Sequence, residues 1–117
     1  MPELRLLIVD DSVQMRALIR MLLADLAAEI VECGCGRDAV DLYFATRPDW
    51  VVMDLHMKDG DGLSATQEIR RRDPAARILI VTQFDEEPLR NAAVESGAAG
   101  YLPKKNLLGI RRFLVPA

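Results

Sequence analysis

The 117-residue chain is poor in cysteine, histidine and aromatic residues: two cysteines, one histidine and 5% Phe, Trp and Tyr. The cysteines, Cys33 and Cys35, stand one residue apart. A bridge at that spacing is geometrically awkward and closes almost no loop. An extracellular disulfide scaffold is therefore excluded, and reduced thiols in a cytoplasmic protein are expected. Cys33-Gly34-Cys35 is also too short and isolated for a zinc site, which normally recruits four ligands. No apolar run approaches the roughly 20 residues of a membrane-spanning helix. The start, Met1-Pro2-Glu3-Leu4-Arg5, has no signal-peptide layout. Positive charge is not in excess either: 15 Lys and Arg against 18 Asp and Glu leave a net charge of -3. Such a chain suits neither nucleic acid nor an anionic membrane, both of which reward clustered cations. There is no glycine-rich phosphate loop and no Walker-type Lys-Ser/Thr, which argues against a bound nucleotide.

What the chain does contain is an alternation of short apolar runs with longer helix-like segments. Strands are expected over Leu4–Val9, Ile30–Cys33, Trp50–Met53, Ile78–Val81 and Ala98–Leu102. Between them the pattern predicts helices from Ser12 to about Ala28, Arg37 to Thr46, Leu63 to Arg72 and Glu86 to Ser96, with a short last helix from Asn106 to Leu114. Ser12 is a good N-cap, because its hydroxyl can accept an orphan amide proton of the first turn. Pro48-Asp49 and Asp73-Pro74 stop two of the helices, Gly97 closes a third, and Asp59-Gly60-Asp61-Gly62 forms a loop before the helix at Leu63. Strands one, three and four are continuously apolar, which suits a parallel sheet covered by helices on both faces. Right-handed crossovers then leave a doubly wound α/β sheet as the leading architecture. At 117 residues one domain with a single core is expected.

Chemistry gathers immediately after the strands. Asp10 and Asp11 follow the first, Asp54 the third, Thr82 the fourth and Lys104 the fifth. In a parallel sheet these positions share the carboxyl edge, where open α/β sheets bind ligands. A strand order of 2-1-3-4-5 makes strands one and three neighbours, roughly 4.8 Å apart, so the three acids share one pocket. Carboxylates so close demand a counter-ion, and hard oxygen ligands suit Mg²⁺ or Mn²⁺. With the ammonium of Lys104 and the hydroxyl of Thr82, the pocket suits a phosphoryl group, and Asp54 is its central acceptor. The pair Asp10-Asp11 alone reads equally well as a helix-entry signal. Five correctly typed residues at four strand ends do not.

These residues resemble the receiver domain of two-component response regulators. The likeness runs over essentially all of residues 1–117: Ile8-Val9-Asp10-Asp11-Ser12, Met53-Asp54-Leu55-His56-Met57, Asp61-Gly62, Val81-Thr82 and Gly97-Ala98-Ala99-Gly100-Tyr101-Leu102-Pro103-Lys104. The resemblance implies a flavodoxin-like sheet of order 2-1-3-4-5 with five helices. It implies that Asp54 is phosphorylated by a histidine kinase or phosphotransfer protein. Asp11, Asp54 and the main-chain carbonyl of His56 would hold Mg²⁺, with Asp10 acting through a metal-bound water. Lys104 and Thr82 would contact the phosphoryl oxygens. Tyr101 would turn inward as Thr82 shifts, remodelling the face of helix four, strand five and helix five for an output partner or a homodimer. The implied role is a signalling switch, not an enzyme.

The chain departs from the family pattern at three positions. Lys58 stands where a proline often follows the methionine, which loosens the loop after Asp54. Gln83 replaces a small residue and could crowd the pocket entrance. Lys105 stands where a proline often forms a cis bond; a non-proline cis bond costs about 2.5–4 kcal/mol, and the sequence leaves its isomer open. His56 and Phe84 match positions that tune dephosphorylation. The His56 side chain is expected to point away from Asp54, so a transition-metal role is disfavoured. Arg70-Arg71-Arg72 reads as a solvated helix end, Arg111-Arg112 as facing solvent or a partner, and Trp50 as core or core edge.

Three other functions compete. A phosphohydrolase using Asp54 as nucleophile would want a second acid to protonate the leaving group and a cap to hold substrate; Asp54-Leu55-His56 offers no acid two residues on, and 117 residues leave no room for a cap. A flavin carrier of the same fold would find its phosphate repelled by the acids. A pseudo-receiver that binds without phosphorylation would not need the complete acid, hydroxyl and lysine set. No output module is readable in these residues, although Gly100-Tyr101-Leu102-Pro103-Lys104 looks closest to regulators with a helix-turn-helix output.

Overall fold

The computed structural model describes residues 3–57 and 61–115. Five strands, β1 (Leu4–Val9), β2 (Ala27–Cys33), β3 (Trp50–Met53), β4 (Ile78–Thr82) and β5 (Gly100–Pro103), form one parallel sheet in the order β2-β1-β3-β4-β5. The helices are α1 (Val13–Leu23), α2 (Gly36–Thr46), α3 (Gly62–Arg72), α4 (Glu87–Glu95) and α5 (Arg111–Leu114). This is the doubly wound sheet expected from the apolar runs, in the flavodoxin-like order that the resemblance implies. Lys58 and the Asp59-Gly60 part of the loop lie outside the described residues.

Successive strand residues feed opposite faces, and both faces are covered. Leu7, Val9, Val51, Met53, Ile78 and Ile80 pack against Ala39 and Tyr43 of α2, Ala65 and Ile69 of α3, and Ala93 of α4. Leu6, Ile8, Trp50, Val52, Leu79 and Val81 pack against Ile19 and Leu23 of α1, and Ile110 and Leu114 at α5. Two dry faces explain why these strands read as unbroken apolar runs. Trp50 is buried in the second cluster, as expected.

Most element boundaries agree with the sequence reading to within a residue; β5 starts at Gly100 and not Ala98, and the first and last helices differ more. The first helix does not reach Ala28: it ends at Leu23, a 3-10 turn spans Ala24–Leu26, and β2 starts at Ala27. Ala27 and Ala28 are good helix formers, but pairing of Ala27 with Leu4 and Glu29 with Arg5 claims this stretch for the sheet. Propensity is a weak term that tertiary pairing overrides. The last helix is also not continuous. A 3-10 segment covers Lys104–Gly109, Asn106 is non-helical at φ -107° and ψ 21°, and α-helix resumes only over Arg111–Leu114. Gly109 within the segment costs a helix about 1 kcal/mol. Ser12 caps α1 as expected, its hydroxyl accepting from the Met15 amide at 3.2 Å. No peptide bond among the described residues is cis.

Candidate functional site

Strand register builds the site. Val9 pairs with Met53, so Asp10 and Asp54, the next residues of neighbouring strands, emerge side by side. Thr82 pairs with Pro103, which brings the hydroxyl of Thr82 and the start of Lys104 to the same edge. A carboxylate oxygen from each of Asp10, Asp11 and Asp54 lies within 4.8 Å of the other two. Asp10 and Asp54 are buried, at 1% and 5% exposure, whereas Asp11 is open to solvent.

Burying two carboxylates is costly unless each is satisfied. Asp10 Oδ1 accepts the Ser12 amide at 2.9 Å and its Oδ2 faces Lys104 Nζ at 2.9 Å. The same ammonium stands 3.6 Å from Asp54 Oδ1. Burial pushes the Asp54 carboxyl up to about 6, reinforced by Asp10 and Asp11 and partly opposed by Lys104 and the His56 amide. The cluster thus carries more negative charge than Lys104 neutralises. That donor set, three converging carboxylates with one open to solvent, fits a hard divalent cation, which adds the missing positive charge.

The remaining predicted residues surround this cluster. Thr82 is fully buried, and its Oγ1 accepts the Phe84 amide at 3.3 Å. Tyr101 donates its hydroxyl to the Phe84 carbonyl, and Arg90 lies over its ring, 5.5 Å from the centroid. The His56 side chain is exposed and packs edge-on against Phe84, with ring centroids 4.7 Å apart. It therefore points out of the acid cluster, as expected; strict strand alternation would set residues 54 and 56 on one side, but β3 ends at Met53 and the chain beyond it is no longer extended strand. A cavity of about 510 Å³ opens beside the cluster, lined by Asp11, Leu55, His56, Met57, Asp61, Leu63 and Leu89. Gln83 is exposed and is not among its lining residues. Lys105 is exposed and pairs with Asp85 at 3.6 Å, tying the loop after β4 to the segment after β5.

Two contributors have roles that the linear pattern does not show. Gly62 sits so close to β3 that a Cβ on it would lie 2.0 Å from the Asp54 carbonyl oxygen. Its amide donates to the Leu55 carbonyl at 3.2 Å, which seats the first turn of α3 directly behind the Asp54 backbone. Arg16, on α1, donates from Nη1 to the Asp10 carbonyl at 2.5 Å and from Nε to Glu32 at 3.0 Å. The helical position of Arg16 was legible; its partner on β2 exists only through the fold.

Comparison with known proteins gives one family. Residues 6–109 match the response regulator receiver domain. The chain is 39% identical over 100 residues to the chemotaxis protein CheY of Halobacterium salinarum, covering 86% of this chain and 83% of that protein. It is 35% identical to the response regulator GacA of Pseudomonas aeruginosa and 40% identical to UvrY of Escherichia coli O157:H7, covering 86% of this chain in each case. It spans only about half the length of these two, 48% and 47%. Among solved structures, a LuxR-family two-component response regulator from Aurantimonas sp. SI85-9A1 superimposes with a TM-score of 0.86 at 36% identity, covering 93% of this chain and 80% of that one. A response regulator protein from Burkholderia pseudomallei, solved with a phosphorylated aspartic acid, a calcium ion and citrate, gives 0.86 at 25% identity, covering 97% of this chain and 67% of that one. With the acid cluster at the carboxyl edge and this likeness over most of its length, the chain belongs to the response regulator receiver domain family.

Proposed function

We propose that this chain is the phosphoacceptor of a two-component phosphorelay, taking a phosphoryl group at Asp54 from a histidine kinase or phosphotransfer protein. The observation that carries the reading is the convergence of Asp10, Asp11, Asp54 and Lys104 on one pocket at the carboxyl edge. A carboxylate oxygen of Asp54 attacks phosphorus, the bond from phosphorus to the donor nitrogen breaks, and the released imidazole takes a proton. Asp11, Asp54 and the His56 main-chain carbonyl would hold Mg²⁺, or Mn²⁺ in its place, with Asp10 acting through water, and the ion would supply positive charge against the phosphoryl oxygens. Lys104 leaves its carboxylate partners to pair with one of those oxygens, and Thr82 donates its hydroxyl to another. The same groups assist hydrolysis of the acyl phosphate, so the chain's chemistry is self-modification.

The added charge is read out mechanically. The Phe84 amide bonds the Thr82 hydroxyl oxygen, and the Phe84 carbonyl accepts the Tyr101 hydroxyl. A shift at Thr82 therefore propagates to Tyr101 and to the face of α4, β5 and α5, where an output partner or a second copy would bind. Phosphorylation biases this face only as far as it stabilises one arrangement over the other. The presence of a phosphorylated aspartic acid in the Burkholderia pseudomallei relative supports the reading. The absence of any described helix long and apolar enough to cross a membrane is compatible with it.

The test is intact mass after incubation with acetyl phosphate, with and without Mg²⁺, on the native chain and on Asp54→Asn. A Mg²⁺-dependent gain of one phosphoryl group, lost in the variant, is expected. A native chain that gains nothing from acetyl phosphate or from phosphoramidate overturns the proposal.

A further inference from the structure

Arg16 stands apart from the other arginines of the molecule because one arm of its fork ends on the backbone of the acid cluster. Asp10 is 1% exposed and its amide is spent on the Cys33 carbonyl at 3.1 Å, within the ladder to β2. Its own carbonyl comes after the last ladder pair of β1, Val9 with Cys33, and a buried carbonyl needs a donor. Arg16 Nη1 supplies it at 2.5 Å. The other arm, Nε, is held by Glu32 Oε1 at 3.0 Å, and Glu32 Oε2 in turn takes Arg20 Nε at 2.7 Å. The Arg16 side chain is 18% exposed, against 47% for Arg20. An ideal Cβ on Gly34 would lie 3.5 Å from Arg16 Nη1 and 3.8 Å from the Asp11 Cα. The guanidinium is therefore wedged between the end of β2 and the Asp10-Asp11 turn.

The carbonyl it grips belongs to the peptide unit joining Asp10 to Asp11. That plane sets the directions in which both residues project their carboxylates. We propose that Arg16 is a positioning residue for the acid cluster: clamped by Glu32, its guanidinium fixes the peptide plane between Asp10 and Asp11 and so preorganises the two carboxylates for a divalent cation. The inference rests on the cation-binding reading above and adds to it a residue that touches neither cation nor phosphoryl group.

Its sign is what makes it testable. Arg16 is a cation close to a cation site, so a purely electrostatic role would oppose metal binding, and removing it would tighten Mg²⁺. A positioning role predicts the reverse. Groups that orient metal ligands typically cost about 10–100-fold in affinity when removed. Arg20 is the internal control, since it shares Glu32 and carries the same charge but does not touch Asp10.

The experiment is calorimetric titration of Mg²⁺ into the metal-free full chain, for the native protein, Arg16→Met, Arg16→Lys and Arg20→Met, with melting temperatures measured in chelator. Arg16→Met should bind Mg²⁺ about tenfold more weakly, while Arg20→Met stays within twofold of native. Arg16→Lys keeps the charge but cannot span both the Asp10 carbonyl and Glu32, so it too should weaken binding several-fold. That variant carries the test if Arg16→Met fails to fold. Native-like or tighter binding in either Arg16 variant, beside a native chain that binds Mg²⁺, overturns the positioning role alone. A native chain that does not bind Mg²⁺ overturns the cation-binding reading and this inference with it. An equal loss in Arg20→Met and Arg16→Met overturns the positioning role by reducing it to general loosening of α1.

Discussion

The two edges of the sheet handle charge in opposite ways. At the amino edge, where β3 and β4 begin, the charged groups described are matched by partners. Asp73 accepts the Tyr43 hydroxyl at 2.6 Å and the Ala75 amide at 3.1 Å, with Arg47 at 3.5 Å. These partners, the Tyr43 hydrogen bond first, hold its carboxyl below the usual range, while burial and the same bond push the Tyr43 phenol up to about 12. Asp49 accepts the Arg5 amide at 2.8 Å, and Arg77 lies over the Trp50 ring, 5.2 Å from its centroid. Arg72 covers Phe44, 4.0 Å from the ring centroid. At the carboxyl edge, three carboxylates converge, the Lys104 ammonium reaches two of them, and Asp54 is pushed up toward neutrality instead of being held down. The charges named at the amino edge are paired as they stand; at the carboxyl edge the carboxylates outnumber the ammonium that reaches them. An imbalance of charge that the fold tolerates at one edge and removes at the other marks where ligand chemistry belongs.

The sharpest way to break this contrast is to disturb the backbone behind Asp54. Gly62→Ala puts a methyl group against main-chain atoms of Asp54 and Leu55, which cannot swing aside like a side chain. The expected cost is about 3 kcal/mol of stability in chemical denaturation, together with loss of phosphoryl uptake from acetyl phosphate. A variant with native stability and uptake would mean that α3 can slide freely at this point.

A smaller effect of opposite sign is expected for Asp54→Asn in the metal-free protein. The folded-state pKa of Asp54 lies above its unfolded value, so the folded chain holds this proton more tightly. Its contribution to stability therefore falls as pH rises from about 4 through about 6, and the full penalty applies above that. Asp54→Asn removes the penalty and should stabilise the chelated protein by about 2 kcal/mol at pH 7.5, with the difference vanishing near pH 4. Parallel melting profiles for the two proteins across that range would contradict the charge imbalance.

The smallest change belongs to the amino edge. Tyr43→Phe deletes one hydrogen bond to Asp73 and should lower the melting temperature by about 5 °C at pH 7. Because the folded-state pKa of Asp73 is depressed, this contribution exists above the unfolded carboxylate range and fades as pH falls through the folded value. Mg²⁺ affinity, read by calorimetry, should not move. A matching loss of Mg²⁺ affinity would show that the two edges are coupled, and the contrast between them would have to be redrawn.

Much of the carboxyl edge was legible because its logic is one-dimensional. Each of Asp10, Asp54, Thr82 and Lys104 is defined by where an apolar run stops or by the turn that follows it, and parallel strands carry those ends to one side. The illegible parts depend on partners far apart in sequence. Ala27 and Ala28 look helical until Leu4 and Arg5 pair with their stretch. Gly62 looks like ordinary loop punctuation until α3 is laid against the Asp54 carbonyl. Lys105 reads only as the loss of a proline until Asp85, on the loop after β4, comes within 3.6 Å.

The sequence by itself determined the alternation of strands and helices, the dryness of both sheet faces and the set of chemical groups at the strand ends. These are properties of local pattern: apolar runs must be buried, and turn residues say where they stop. Only the tertiary structure decided the distances among those groups, the burial that pushes Asp54 up, the sharing of Lys104 between two carboxylates, and the grip of Arg16 and Glu32 on the Asp10-Asp11 peptide. Electrostatic energy depends on separation and on exclusion of water, and neither is a property of a position along the chain.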